Sequence, residues 1–187
     1  MNENQKEILL TTVCQGVKAA VEKIPIDTPV SDDPELNVHC GCFVTLKNNG
    51  NLRGCLGQFT SDKPIIELIF EIAQASATRD ARFYDNPIMA RELDDLDIEV
   101  SLLSPLEKTD DPLSLRLGVD GIYIKRNNNT GCFLPQVATE IGWNRQEFLS
   151  YCCSQKAGLK PNAWKDRLTE VYLFTADIFG AIFAEIL

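Results

Sequence analysis

Cys55 is the residue whose type and setting best suit chemistry, because it stands between two glycines in the segment Leu-Arg-Gly-Cys-Leu-Gly, residues 52–57. Glycine is used where the backbone needs a positive φ or where another group approaches closely, so a ligand has room to reach this thiol. If the segment is extended, Arg53 lies on the same face about 7 Å away, and a nearby cation favours the nucleophilic, readily oxidised thiolate. The alternative interpretation is a small buried core residue beside a bulge.

Two charged residues are candidates for work near such a thiol. Glu99 falls on a predicted strand, where a carboxylate is held rigidly and can act as a general base or accept a hydrogen bond from an arginine. Its alternative is a solvated strand face. Arg82 closely follows Asp80 and can clamp a carboxylate or phosphate with its planar guanidinium, or can form a local ion pair that fixes a loop.

Three more candidates come from the second half of the chain. Gln136 and Glu140 are four residues apart on a predicted helix, so both can point into a cleft or interact with each other. Glu140 is therefore a second candidate, besides Glu99, for moving protons. Trp164 is a core or rim residue, or alternatively a platform on which a ligand stacks.

Metal and histidine chemistry are not predicted. Cys40 and Cys42 would face one side of a strand and His39 the other, so no metal ligands are assigned. His39 is the single histidine and has no evident orienting partner for a Cys–His pair. Residues 52–57 also lack the spacing and the following lysine of a phosphate-binding loop.

The composition is that of a folded chain. Of the 187 residues, 44% are hydrophobic and 24% charged, which suits one large domain or two intimate halves. The formal net charge is −9 and no basic stripe is present, so neither nucleic acid nor an anionic membrane is expected as a partner. The polar N-terminus lacks the apolar core of a signal peptide, so we expect a cytoplasmic protein with free thiols.

Hydrophobic periodicity predicts an α+β fold in which antiparallel hairpins are covered by helices. The order is αββαβ in the first half, with an Asn49-Gly50 hairpin turn and with Ser61 or Asp62 capping the second helix. The order is ββααβ in the second half, where Asn144 and Glu147 resemble a capping box for the second helix. This repetition is compatible with a weak internal duplication. The predicted segments are a helix ending before residue 25, strands at 40–47 and 52–59, a helix over 65–73, strands at 96–102, 121–126 and 132–134, helices at 135–141 and 144–156, and a long closing strand at 168–183.

Several segments, in this order, resemble the AMMECR-type domain family, called AmmeMemoRadiSam system protein A in prokaryotes. The resemblance covers about residues 5–187 as a single domain and departs from the family pattern at Ala81, where proline is expected, and at Cys42 and Cys132, where apolar residues are expected. The matching segments are residues 41–46, 50–57, 80–83, 98–105, 134–138, 140–143, 156–159 and 163–164.

The resemblance implies a fold of two intimately packed α/β subdomains, about residues 5–105 and 106–187, with a cleft where the matching residues gather. It implies no established reaction and leaves any cofactor unknown. The family's genomic company implies a Memo-like protein and a radical S-adenosylmethionine protein as partners.

Two main hypotheses remain open. In the first, the protein is a small-molecule or cofactor-modifying enzyme in which Cys55 reacts, Arg53 tunes the thiol, and Glu99 or Glu140 moves protons. In the second, it is a non-catalytic partner protein whose cleft binds a ligand or a peptide segment of a partner. A redox-sensitive regulator is a third hypothesis, but no resolving cysteine is predictable near Cys55.

Overall fold

The computed structural model describes residues 1–187 as two compact units. The first unit contains residues 1–102 and 177–187, and the second contains residues 103–176. Each unit carries one antiparallel four-stranded sheet, which confirms the predicted α+β class. The helices are α1 (Glu3–Glu22), α2 (Ile65–Thr78), α3 (Pro135–Ile141) and α4 (Arg145–Tyr151), and the strands are β1 (Cys42–Asn48), β2 (Asn51–Gln58), β3 (Leu96–Leu103), β4 (Glu107–Thr109), β5 (Gly121–Arg126), β6 (Asn129–Phe133), β7 (Glu170–Phe174) and β8 (Ala176–Ile182).

Short helical turns connect these elements. One is a π-helix, Cys152–Lys156, which continues directly from α4. None of the helices combines the length and the apolar character that a membrane span requires. The 3-10 turns are Pro34–Asn37, Ala81–Phe83, Ala90–Asp95, Pro112–Ser114, Pro161–Lys165 and Phe183–Glu185.

The first sheet has the strand order β2-β1-β3-β8. Helix α2 packs on β1 and β2, and α1 packs on α2. Val44 and Leu46 of β1 and Ile98 and Val100 of β3 are fully buried in the core formed with these helices. Because side chains alternate along a strand, the residues between them face the opposite side of the sheet.

The hairpin of β1 and β2 contains a bulge. Asn49 and Gly50 form the predicted turn with φ values of 49° and 76°, which are favoured in two-residue hairpin turns. The register then shifts between Leu46 and Lys47, and Arg53 is the extra residue on β2. Beyond the bulge, Thr45 lies opposite Cys55.

The bulge determines which side of the sheet carries Cys55. In a regular hairpin with this turn, Thr45 would lie opposite Gly54, and Cys55 would lie opposite Val44 on the side of α2. The extra residue moves Cys55 to the side away from α2. We call this side the polar face; its paired residues on β1, β2 and β3 are Phe43, Thr45, Lys47, Leu52, Cys55, Gly57, Asp97, Glu99 and Ser101.

The second sheet has the strand order β4-β7-β5-β6, and helical segments cover one side of it. In its core the ring of Phe133 stacks on Phe148 with a centroid distance of 5.6 Å and contacts Trp143 at 5.4 Å. Gly131 allows the π-helix to approach β6, because a Cβ there would lie 2.5 Å from the backbone nitrogen of Ala157. The predicted capping box of Asn144 and Glu147 at α4 is confirmed.

Three predicted details are wrong. The long closing strand at 168–183 is two strands in different sheets, β7 in the second unit and β8 in the first, because the chain returns to the first unit after Ala176. Residues 177–187 therefore lie with the first half, not with the second.

Helix α2 has Pro64 at its N-cap position without a side-chain cap, since Ser61 accepts a hydrogen bond from the Lys63 N–H instead. Strand β4 was not predicted, because its three residues are too few to show hydrophobic periodicity. Strand β6 begins at Asn129 and not at residue 132, so the turn before it is shorter than expected.

Helix α2 is joined to the hairpin through Ser76. Its buried hydroxyl accepts a hydrogen bond from the Leu56 N–H at 3.0 Å and donates one to the Val44 carbonyl at 2.9 Å, so it bridges β2 and β1. Gly54 permits this approach, because a Cβ there would lie 2.0 Å from the Ser76 carbonyl oxygen.

We predict that Ser76→Ala lowers the free energy of unfolding by about 1–3 kcal/mol, because it leaves a backbone donor and acceptor unpaired inside the protein. Urea denaturation followed by circular dichroism measures this change. Thr78→Ala is the matched control: Thr78 is exposed and bonds only within its own helix, so its substitution should change stability by less than about 0.5 kcal/mol. Equal effects of the two substitutions would contradict the bridging role.

Candidate functional site

Cys55, Thr45 and Glu99 form one row across the polar face. Thr45 on β1 is the direct partner of Cys55 on β2 and of Glu99 on β3. Neighbouring strands are about 4.8 Å apart, so the backbones at Cys55 and Glu99 are separated by about 10 Å. The half-buried side chains of Cys55 and Glu99 therefore flank the buried Thr45 on one face of the sheet.

The sulfur of Cys55 has a hydroxyl donor and a cation beside it. The Thr45 Oγ1 hydroxyl donates a hydrogen bond to Cys55 Sγ over 3.2 Å, and Thr45 is itself buried. The Arg82 guanidinium lies at the same residue, since its Nη2 donates to the Cys55 carbonyl at 3.1 Å. Asp80 is the main cause of the raised pKa of this guanidinium, and the Cys55 side chain contributes further. The half-buried Cys55 side chain is a free thiol.

Asp80 and Arg82 hold the backbone of Cys55 from the edge of the sheet. The Cys55 N–H donates to Asp80 Oδ2 at 2.9 Å, and Arg82 Nη2 donates to the Cys55 carbonyl at 3.1 Å. Strand β2 is an edge strand, so this pair takes the place of a neighbouring strand at Cys55. We call the pair the edge clamp.

The edge clamp is itself a bidentate ion pair. Arg82 donates from Nε to Asp80 Oδ1 at 2.9 Å and from Nη2 to Oδ2 at 2.6 Å. Asp80 is 5% exposed, and the hydrogen bonds from Arg82, followed by those from backbone N–H groups, lower the pKa of its carboxyl to about 2. The carboxylate is thus charged at any physiological pH.

Arg53 occupies a different place from the one expected. Its guanidinium bonds to the Glu92 carboxylate and to the carbonyls of Asn86 and Pro87, and the residue is 8% exposed. These partners fix the loop that follows the edge clamp. The guanidinium that bonds to Cys55 is that of Arg82, through the Cys55 carbonyl. Arg53 is directed elsewhere for a reason of register, because it is the bulge residue.

Glu99 is half-buried and forms an ion pair with Lys47, whose Nζ lies 3.2 Å from Glu99 Oε2. Both residues belong to the polar face. The carboxylate therefore sits in the row of Cys55 with a cation at its side.

The remaining candidates lie in the second unit. On α3 the Gln136 Oε1 atom is buried without a hydrogen-bond partner, and Glu140 is exposed. Trp164 is 7% exposed in the core, donates from Nε1 to Ser150 Oγ, and has the Lys165 ammonium over its ring at 5.0 Å. Core packing, the first interpretation of Trp164, matches this position. Ligand roles for Gln136, Glu140 and Trp164 stay predictions, as does the cleft.

Four of the other cysteines, Cys14, Cys42, Cys152 and Cys153, are buried, whereas Cys40 and Cys132 are half-buried, as Cys55 is. Burial raises the pKa of the Cys14 thiol to about 12 and raises the pKa values of Cys42, Cys152 and Cys153. Cys40 is half-buried, and burial raises its pKa as well. No group of three or more His, Cys, Asp or Glu side chains is placed to hold a metal ion.

Sequence reasoning missed Thr45 and the backbone role of Asp80. The Asn49-Gly50 turn predicts the hairpin register, but regular counting pairs Thr45 with Gly54, because no sequence rule located the bulge. Asp80 was recognised only as an ion-pair partner of Arg82. An aspartate as N-cap of the short turn that follows it is a readable signal, yet its second oxygen reaching Cys55 is a tertiary contact.

Comparison with known proteins decides the family. The family model AMMECR1 matches residues 10–179. The chain belongs to the AMMECR1 family. This confirms the AMMECR-type resemblance, whereas association with a Memo-like or a radical S-adenosylmethionine protein stays a prediction.

Archaeal members of the AMMECR1 family are similar along most of the chain. A protein of Methanothermobacter thermautotrophicus is 48% identical over 145 residues, covering 74% of either chain. Protein TK0174 of Thermococcus kodakarensis is 38% identical over 184 residues, covering 92% of this chain and 88% of its own. The crystal structure of the uncharacterised protein PH0010 from Pyrococcus horikoshii superposes with a TM-score of 0.89 at 34% identity, covering 99% and 95% of the two chains.

We predict that Asp80→Asn destabilises the protein by about 2 kcal/mol at pH 7, from the displacement of the Asp80 pKa from 3.8 to about 2. A lowered folded-state pKa means that this contribution is complete above the unfolded-state pKa and is lost as pH falls through about 2. Urea denaturation at intervals between pH 6 and pH 2 should therefore show the gap between wild type and variant closing in acid.

Asp85→Asn is the control for this series, because Asp85 is exposed and forms no ion pair. Its stability should follow that of the wild type at every pH. A wild-type and Asp80→Asn gap that is constant from pH 6 to pH 2 would show that the carboxylate charge contributes nothing.

Proposed function

We propose that this AMMECR1-family protein is an enzyme that modifies a small molecule or cofactor with Cys55 as its nucleophile. The observation that carries the proposal is the hydrogen bond from the Thr45 hydroxyl to the Cys55 sulfur, made beside the Arg82 guanidinium. Structural cysteines in cores have apolar neighbours, whereas reactive ones lie in partly exposed, electropositive surroundings. Cys55 has the second kind of surroundings.

The backbone around the thiol is held rigidly, which suits a reacting group. The edge clamp bonds both backbone groups of Cys55, and Ser76 bonds the N–H of Leu56. The Cys55 sulfur and the Thr45 hydroxyl therefore have fixed positions before a substrate binds. Less conformational entropy is then lost in the reaction step.

The row on the polar face supplies a second reacting group. Glu99 lies one strand beyond Thr45, and its carboxylate can accept or return a proton on a substrate that spans the row. In the proposed step the Cys55 thiolate forms a bond to an electrophilic substrate carbon, whose displaced electron pair stays on the substrate or leaves with a leaving group. Lys47 lies beside Glu99 as its counter-ion.

The alternative is the partner role expected from the resemblance, with a Memo-like protein and a radical S-adenosylmethionine protein as the partners. In that case the polar face binds without reacting, and co-purification with those partners survives Cys55→Ala. A complex that persists in Cys55→Ala, together with an inert Cys55, would favour binding over catalysis.

We predict that Cys55 is the first cysteine alkylated when the native protein is treated with a limiting amount of iodoacetamide at pH 7.5. Burial shields most of the other thiols and raises their pKa values, whereas the Cys55 side chain is only half-buried and has the Thr45 hydroxyl and the Arg82 guanidinium beside it. Quantitative peptide mass spectrometry over time gives the rate at each cysteine.

Thr45→Val should slow alkylation of Cys55 by roughly three- to tenfold through loss of one hydrogen bond, and Thr45→Ser should restore it. The rate at Cys40, a half-buried cysteine without that donor, is the internal control. Labelling of Cys55 that is no faster than that of Cys40, and unaffected by Thr45→Val, would remove the basis for a nucleophile.

A further inference from the structure

The edge clamp leaves part of Arg82 unused. In the guanidinium, Nε donates to Asp80, and Nη2 donates to both Asp80 and the Cys55 carbonyl. Nη1 has no hydrogen-bond partner in the chain. The Arg82 side chain is 57% exposed. A guanidinium that is held by Asp80 through two nitrogens, lies over the Phe83 ring at 5.6 Å and keeps a third nitrogen without a hydrogen bond is preorganised to bind an anion.

The charges around Cys55 are arranged asymmetrically. Asp80 lies behind Arg82 and is buried, so its negative charge is directed into the protein. On the other side of the thiol, Glu99 is paired with Lys47. An incoming molecule therefore meets the cationic outer side of Arg82 next to the sulfur, while each nearby carboxylate is already engaged by a cation.

Resting on the proposed nucleophilic role of Cys55, we propose that the substrate is a small acid, in which a carboxylate or phosphate bound by Arg82 Nη1 directs an adjacent electrophilic carbon to the Cys55 sulfur. Arg82 is then the residue that selects the substrate. Thr45 and the Phe43 ring, which lies against Gly57 where a side chain would clash, border the same position.

Iodoacetate and iodoacetamide test this directly. Both form the same S–C bond with the thiolate and release iodide, and they differ mainly in that iodoacetate carries a carboxylate beside its electrophilic carbon. A change in thiol ionisation affects both reagents alike and cancels in the ratio of their rates. The ratio at Cys55 therefore reports anion recognition alone.

We expect the iodoacetate-to-iodoacetamide rate ratio at Cys55 to exceed that at Cys40 by roughly fivefold, the scale of a partly exposed ion pair, and to fall to the Cys40 value in Arg82→Gln. Arg167→Gln is the matched control, an exposed arginine of the second unit without an ion pair, and should leave the ratio unchanged. Peptide mass spectrometry measures both rates in one sample.

A measurement on the wild type guards against loss of folding in Arg82→Gln. Inorganic phosphate should slow iodoacetate labelling of Cys55 saturably, and more than sodium chloride does at equal ionic strength. Equal ratios at Cys55 and Cys40, with no specific effect of phosphate, would overturn the small-acid substrate while leaving a reactive thiol. Failure of Cys55 to react with either reagent would overturn the nucleophile and the substrate together.

Discussion

The hydrogen bonds between the backbone of Cys55 and the edge clamp are the interaction on which the rest of the site depends. An edge strand normally leaves its outer N–H and carbonyl groups to water or to another chain. Here Asp80 accepts from one and Arg82 donates to the other, and the same two side chains form an ion pair. The edge clamp thus takes the place of a further strand at this edge of the sheet and holds Cys55 in position.

The clamp also links structure to electrostatics. Asp80 would be costly to bury alone, and Arg82 compensates its charge with a bidentate contact. That contact turns the guanidinium so that it reaches the Cys55 backbone, while Nη1 makes no hydrogen bond within the chain. The ion pair of Asp80 and Arg82 therefore has three effects. It allows Asp80 to be buried, it orients Arg82, and it determines the surroundings of Cys55.

The sequence was most informative where a signal is local. The α1 pattern, the Asn49-Gly50 turn and the α4 capping box each depend on neighbours a few residues apart, and the structure has all three. The split of residues 168–183 between two sheets was not predictable in this way, because β7 and β8 alternate alike and only long-range pairing separates them.

At the candidate site, too, the local features could be predicted from the sequence and the long-range contacts could not. Cys55, Arg82 and Glu99 were recognisable as residue types, and strand alternation placed Glu99 on the proper side. Thr45 and the clamp depend on one inserted residue and on contacts across 25 positions of chain, from Asp80 to Cys55, which periodicity does not encode. Arg53 is an example, because it is close to Cys55 in sequence, whereas the cation bonded to Cys55 in the structure is Arg82.

The bulge at Arg53 couples the number of residues between the turn and the cysteine to the shape of the strand. With the four residues present here, 51–54, a bulged strand puts Cys55 opposite Thr45, whereas a regular strand of the same length would put it opposite Val44 on the side of α2. With one residue fewer, a regular strand would again place the cysteine opposite Thr45. The length of this stretch in a related protein therefore tells which strand shape, bulged or regular, its thiol needs in order to lie on the same face.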